Sequence, residues 1–105
     1  ENNFSLEDCV LITRTLLMKS KRLYNLLLEI KNNKNPEDVI SSFKPPIFWK
    51  DKDIVKQQIK AWNLVGAENL MYKTNELELL IKKNSTNAIN IISDFIISTS
   101  NRINN

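Results

Sequence analysis

The chain has 105 residues and carries 15 basic against 12 acidic side chains, which gives a formal net charge of +3 at pH 7. It contains no histidine, a single cysteine and a single glycine. It therefore lacks the most common general base and metal ligand, and a lone thiol forms neither an internal disulfide nor a thiolate metal centre. One glycine leaves no glycine-rich loop for phosphates. These absences argue against most classes of enzyme, and we expect no catalytic residue, no metal and no cofactor.

The length suits one hydrophobic core, because the surface scaling rule predicts that about two thirds of the unfolded surface becomes buried. Hydrophobic residues make up 42% and charged residues 26%, the balance of a soluble globular domain. No apolar run approaches the roughly 20 residues that a membrane span needs. We expect a single domain over residues 1–105 without membrane contact. Because it starts at Glu1 with neither a methionine nor a leader pattern, we also expect a fragment of a longer protein.

The first predicted helix runs from about Leu6 to about Asn32. Ser5 can cap it, with Asp8 as the capping-box partner three residues later. Apolar residues then recur at helical spacing in two rows that we expect to face the core. One row is Val10, Leu17, Tyr24 and Leu28, and the other is Leu16, Leu23, Leu27 and Ile30.

A short second helix is predicted to begin at Asn35 and Pro36, because proline favours the first helical position. Pro45 and Pro46 must end it, since proline lacks an amide hydrogen and disfavours helical geometry in the residue before it. The apolar residues that this helix offers to the core are Val39, Ile40 and Phe43.

The third predicted helix runs from about Trp49 to Trp62 and follows an aromatic segment that is unusually apolar for a linker. We expect Phe48, Trp49 and Trp62 to lie mainly in the core and to set the angles between helices, since large aromatics dominate cores. Its core face consists of Val55, Ile59 and Trp62, and its other side carries Lys52, Lys56 and Lys60.

Two further helices complete an all-α bundle of about five. Asn63 can cap the fourth, which Lys82-Lys83-Asn84 closes, and Ser85 can cap the fifth. The fourth repeats apolar residues at spacings of three and four: Leu64, Ala67, Leu70, Met71, Leu77 and Ile81. The fifth is apolar on most sides, which is typical of a central helix or of one that another subunit covers. We expect this partner-facing surface at Ile89, Ile92, Phe95 and Ile96.

The charged residues allow two readings. Glu76 and Glu78 lie two apart on a helix and point in different directions, so paired-carboxylate catalysis is disfavoured. Glu78 and Lys82, four apart, favour a helix-stabilising ion pair instead. The lysine row Lys52, Lys56 and Lys60 is either an ordinary solvated face or a weak set of phosphate contacts.

Four features occur in a recognisable order. Pro45-Pro46-Ile47-Phe48-Trp49-Lys50 gives two prolines, a variable residue, two aromatics and a basic residue, and Trp62 ends the next helix. Glu76 to Lys82 then places two acids and a lysine around apolar residues, and the first helix is basic and leucine-rich around Arg22. Together they resemble the C-terminal domain of the delta subunits of bacterial DNA polymerase III, over about residues 5–97. Leu77 and Lys83-Asn84 depart from the small residue and the Thr-Gly of that family.

The resemblance implies a cytoplasmic, non-catalytic collar domain of the clamp loader, the complex that loads the sliding clamp during DNA replication. It implies delta-prime and the tau or gamma motor subunits as partners. The sliding clamp would be contacted only through an N-terminal region absent from this chain, and DNA only indirectly or weakly. Two alternatives stay open, a helical nucleic-acid-binding domain that uses the lysine row and an interaction module unrelated to replication.

Overall fold

The computed structural model describes residues 5–32 and 34–104. In this part of the chain there are five α-helices and no strand, so the predicted all-α bundle is confirmed. Short 3-10 helices at Trp49–Asp51 and Ser85–Asn87 lead directly into the third and fifth. The helices are α1 (Leu6–Lys31), α2 (Pro36–Ser42), α3 (Lys52–Ala61), α4 (Leu64–Lys83) and α5 (Ala88–Asn104).

Side chains cap α1, α2 and α4 as the sequence predicted. Ser5 Oγ accepts from the Asp8 amide at 3.1 Å, and the Asp8 carboxylate accepts from the Ser5 amide at the same distance. The side-chain oxygen of Asn35 accepts from the Glu37 amide at 2.8 Å, which starts α2. Each such bond satisfies an amide that the first turn of a helix would otherwise leave unpaired.

The predicted cap at Ser85 is wrong. Ser85 lies inside a 3-10 turn that has no side-chain cap, and α5 begins only at Ala88. An N-cap residue needs a non-helical backbone, which Ser85 cannot have within that turn. The preceding Asn84 instead ends α4, where its side-chain amide donates to the Leu80 carbonyl at 2.9 Å.

The only glycine of the chain permits a close approach at the start of α4. The Asn63 side chain accepts from the Gly66 amide at 2.7 Å, which confirms the predicted cap. A β-carbon at Gly66 would lie 3.0 Å from Asn63 Oδ1 and 3.3 Å from the ring of Trp62. The absence of a side chain therefore lets the cap and the indole pack tightly against the first turn of α4.

The two longest helices, α1 and α4, make the most extensive contact in the bundle. Arg14 near the start of α1 pairs with Glu78 near the end of α4, whereas Leu27 packs near Ala67 in the first turns of α4. The two helices are therefore antiparallel. Since α1 also contacts α2, α3 and α5, it is the element around which the other helices assemble.

The core consists of three small clusters along α1. The first joins α1, α4 and α5 through Cys9, Val10, Leu77, Ile81, Ala88 and Ile92. The second joins α1, α2, the following segment and α3 through Leu26, Val39, Ile40, Ile47 and Val55. The third joins α1 and α4 to the end of α3 through Leu23, Leu27, Trp62 and Ala67. Leu28, predicted to face the core, is exposed because the bundle covers mainly the side of α1 that carries Leu23 and Leu27.

Candidate docking surface

The aromatic segment before α3 lies largely outside the core. Phe48 is 57% and Trp49 69% exposed, so the prediction that these two rings form the scaffold between helices is wrong. Ile47 fills the core position instead, and the two exposed rings lie at the N-cap and the first position of the 3-10 turn. Their centroids lie 5.9 Å apart at an interplanar angle of 53°. Pro45 and Pro46 before them are exposed as well.

Trp62 behaves as predicted. It is 9% exposed and packs against Leu23, Leu27 and Ala67. Its backbone is extended between α3 and α4, so the ring fills the space between α1 and the first turns of α4. The two tryptophans therefore have opposite environments, one structural and one available to a ligand or partner.

The apolar side chains of α5 divide between core and surface. Ile92 is only 5% exposed and belongs to the first core cluster, so the prediction that it reaches a partner is wrong. Ile89 and Ile96 are exposed, and Phe95 is half-buried at the edge of the same cluster. Helical spacing explains the result, because Ile92 follows Ala88 by four residues on the face that meets α1 and α4.

A groove runs along the side of α4 that faces α5. Two adjoining parts of about 460 Å³ each share an apolar lining of Leu77, Leu80 and Phe95. Leu80 is 48% exposed and the neighbouring Leu79 59%, although both are large apolar residues. Charged residues of both signs surround the groove: Lys73, Glu76, Lys83 and Asp94. Glu76, one of the residues on which the resemblance rests, thus lies beside an apolar surface rather than in a carboxylate pair.

The sequence analysis did not identify Leu79 and Leu80 as surface residues. The signal was present, because four of the five positions from 77 to 81 are apolar, namely Leu77, Leu79, Leu80 and Ile81, which is too many for one helix face. With Leu77 and Ile81 in the core, helical geometry requires the other two to point elsewhere.

Glu78 connects α1 and α4 at the surface. Its carboxylate accepts two hydrogen bonds from the Arg14 guanidinium at 3.2 Å and one from Lys82 Nζ at 2.8 Å, which confirms the predicted ion pair with Lys82. The hydrogen bonds from Arg14 and then from Lys82 lower the pKa of Glu78 to about 2. All three side chains are reached by water, so screening keeps their effect on stability small.

Replacing Glu78 with glutamine is expected to lower the melting temperature near neutral pH, by an amount that shrinks as the pH falls from about 4.5 to about 2. Because folding depresses the pKa of Glu78, its carboxylate stabilises the fold above the ordinary value of 4.5, and this contribution is lost as the folded group protonates near pH 2. Thermal melts of the parent chain and E78Q, followed by circular dichroism, give the difference. A difference that stays constant down to pH 2 would contradict the assignment.

One member of the lysine row on α3 is engaged in an ion pair. Lys56 Nζ lies 3.2 Å from the Glu37 carboxylate, and the two side chains are 41% and 69% exposed. Lys60 is exposed and Lys52 half-buried. The row therefore remains accessible to an anion, although an acid on α2 competes for its middle member.

Within residues 5–32 and 34–104, no three acidic or thiol side chains form a group that could hold a metal ion. None of the helices described is long and apolar enough to cross a membrane.

What the fold defines is an α-helical bundle with apolar and aromatic groups at its surface. No family model matches the chain, and neither a curated protein nor a solved structure matches it.

Proposed function

We propose that this chain is a non-catalytic helical domain that binds a partner protein through the α4–α5 groove. The observation that carries the proposal is the exposure of Leu79 and Leu80 beside a groove lined by Leu77 and Phe95. Removing such apolar surface from water is the main driving force of protein association. Exposed leucines grouped at one groove mark an interaction site more strongly than single scattered residues.

The partner that suits the groove is an amphipathic helix. Two neighbouring helices form its walls, and its lining is apolar with polar groups at the edges. Helix-in-groove recognition uses this arrangement, in which the apolar face of the incoming helix meets the lining and polar residues surround it. Because the edges carry both Lys73 and Asp94, charged groups of either sign on the partner can set the register.

The particular assembly that we propose is the clamp loader of bacterial DNA polymerase III, with this chain as the collar domain of a delta subunit. The order of Pro45-Pro46, Phe48-Trp49, Trp62 and Glu76 to Lys82 supports it. The partner helix would then belong to delta-prime or to a tau or gamma motor subunit. A collar role needs no nucleotide site, in keeping with a sequence that offers no glycine-rich phosphate loop.

Replacing Leu80 with aspartate is expected to abolish co-elution of the chain with the delta-prime and motor subunits of its own organism in size-exclusion chromatography. A carboxylate at this position would replace apolar contact surface and would have to give up its hydration when the apolar face of a partner helix covers it. Leu80 is half-exposed, so the variant should still fold. Met18→Asp on α1 is the matched control, because Met18 is 71% exposed and lies outside the groove.

Three outcomes are distinct. Co-elution of the parent and M18D chains but not of L80D supports both the groove and the clamp-loader assignment. Co-elution of all three chains would overturn the groove as the binding surface. Failure of the parent chain, when a full-length delta subunit of the same organism co-elutes, would overturn the proposal that this domain alone carries the binding.

A further inference from the structure

The net positive charge of the chain is concentrated around the exposed aromatic pair. Residues 44–60 hold five lysines and two aspartates, a net charge of +3, which equals the charge of the whole chain. The rest of the sequence is therefore electrically balanced. The same segment contains Phe48 and Trp49, which are 57% and 69% exposed. Among the residues whose exposure the structure describes, no other segment joins a charge excess to two solvent-facing rings, and the α4–α5 groove uses none of these residues.

Helical spacing places Trp49 and the lysine row on one side of the helical segment that the 3-10 turn and α3 form. The 3-10 turn Trp49–Asp51 continues directly into α3, and Trp49, Lys52, Lys56 and Lys60 are separated by three, four and four residues. Residues at such intervals lie above one another on a helix. The cations from Lys52 to Lys60 thus extend over about 12 Å beyond the ring, at one per turn. Lys50 adds a further cation 5.5 Å from the centre of the Trp49 ring.

We propose that this surface, formed by Phe48, Trp49 and the lysines from Lys50 to Lys60, binds single-stranded nucleic acid. An unpaired base would stack on Trp49 while successive phosphates follow Lys52, Lys56 and Lys60 along α3. Aromatic rings beside a positive track are the common means of holding single strands without reading their sequence. The Lys56–Glu37 ion pair is solvent-exposed on both sides and hence weak, so a phosphate can displace it.

An anionic membrane fits this surface less well. Ile54 is the one large exposed apolar residue of α3, and the positions opposite the buried Val55 are Asp53, Gln57 and Lys60, all polar and exposed. A helix lying in a lipid interface would need apolar residues there. A duplex fits poorly too, because its bases are already stacked and paired and so cannot cover an isolated indole. The charge and the rings together therefore favour a single strand.

Trp49→Ala is expected to weaken binding of a fluorescein-labelled oligothymidylate at least about fivefold, because each stacked base contributes to affinity on that scale. Fluorescence anisotropy of the full 105-residue chain at low salt gives the dissociation constant. The double variant K52Q/K60Q is expected to reduce the slope of log affinity against log salt by about 1.4, since each phosphate contact contributes about 0.7. Circular dichroism establishes that each variant is folded.

Two matched controls separate stacking and charge from general surface effects. Tyr72→Ala removes an aromatic ring from α4 that is 59% exposed, and K21Q/K31Q removes two exposed cations from α1. Both should bind the oligothymidylate as the parent chain does. Unchanged binding by W49A, equal losses in the controls, or no binding by the parent chain would overturn the proposal. Binding to phosphatidylserine vesicles without binding to the oligothymidylate would overturn it in favour of a lipid surface.

Discussion

Replacing Trp62 with alanine is expected to lower the free energy of unfolding by about 3–5 kcal/mol, whereas the same change at Trp49 should cost about 1 kcal/mol or less. Trp62 is 9% exposed, and its removal would leave a cavity between α1, α3 and α4 that Leu23, Leu27 and Ala67 line. Trp49 is 69% exposed, and its ring interactions are a tilted contact with Phe48 and a cation–π contact with Lys50. Urea denaturation followed by circular dichroism measures both values.

The comparison tests the placement of the aromatic segment directly. A domain of this size has a total stability of about 5–15 kcal/mol, so the Trp62 variant should be close to unfolding at physiological temperature. Equal costs at the two positions would show that Trp49 is packed and that the surface around it is not available. Because W49A is expected to remain folded, it is also the suitable variant for the nucleic-acid experiment.

Replacing Ile81 with alanine is expected to cost about 2–5 kcal/mol, since Ile81 has no exposed surface at the centre of the cluster that joins α1, α4 and α5. The matched control is Leu79→Ala, two residues away on α4, where 59% exposure limits the cost to about 0.5 kcal/mol. For a chain of this length the cost expected for Ile81→Ala corresponds to a fall in melting temperature of roughly 10 °C or more. Calorimetry gives both temperatures.

The Ile81 variant should loosen α5 before the rest of the bundle. The buried residues of α5 in this cluster are Ala88 and Ile92, so the helix depends on a small contact area. Hydrogen exchange of the α5 amides should therefore accelerate more than that of α1 amides near Leu26, which belongs to a different cluster. Uniform acceleration across both helices would mean that α5 unfolds only with the whole domain.

Local signals in the sequence predicted the helices well. Ser5 with Asp8, Asn35 before Pro36, and Asn63 each cap a helix as their residue types require. The pair of Glu78 and Lys82 also follows from spacing on one helix. These features depend on residues within a few positions of one another, so no knowledge of the tertiary fold is needed. The N-cap predicted at Ser85 is the exception, because a 3-10 turn occupies the position of the expected cap.

The exposure of individual apolar residues was harder to predict from the sequence than the helices themselves. Phe48, Trp49 and Ile92 belong to apolar segments in which several residues compete for a few core positions. Ile47 fills the core position that the rings were expected to take, and Ile92, which was expected to face a partner, packs with Ala88 in the core. The choice depends on where neighbouring helices end and cross, which hydrophobic pattern alone does not fix. The candidate groove beside Leu80 was missed for the same reason.

The antiparallel contact of α1 with α4 joins residues far apart in the chain, since Arg14 and Glu78 are separated by 64 positions. During synthesis α1 leaves the ribosome first, and although α2 and α3 can cover Leu26, the part of α1 that meets α4 stays exposed until α4 has been translated. Closing so long a loop costs conformational entropy before the contacts between α1 and α4 can stabilise the chain. The nascent chain therefore completes its fold late, and in the interval α1 is the segment most in need of a chaperone.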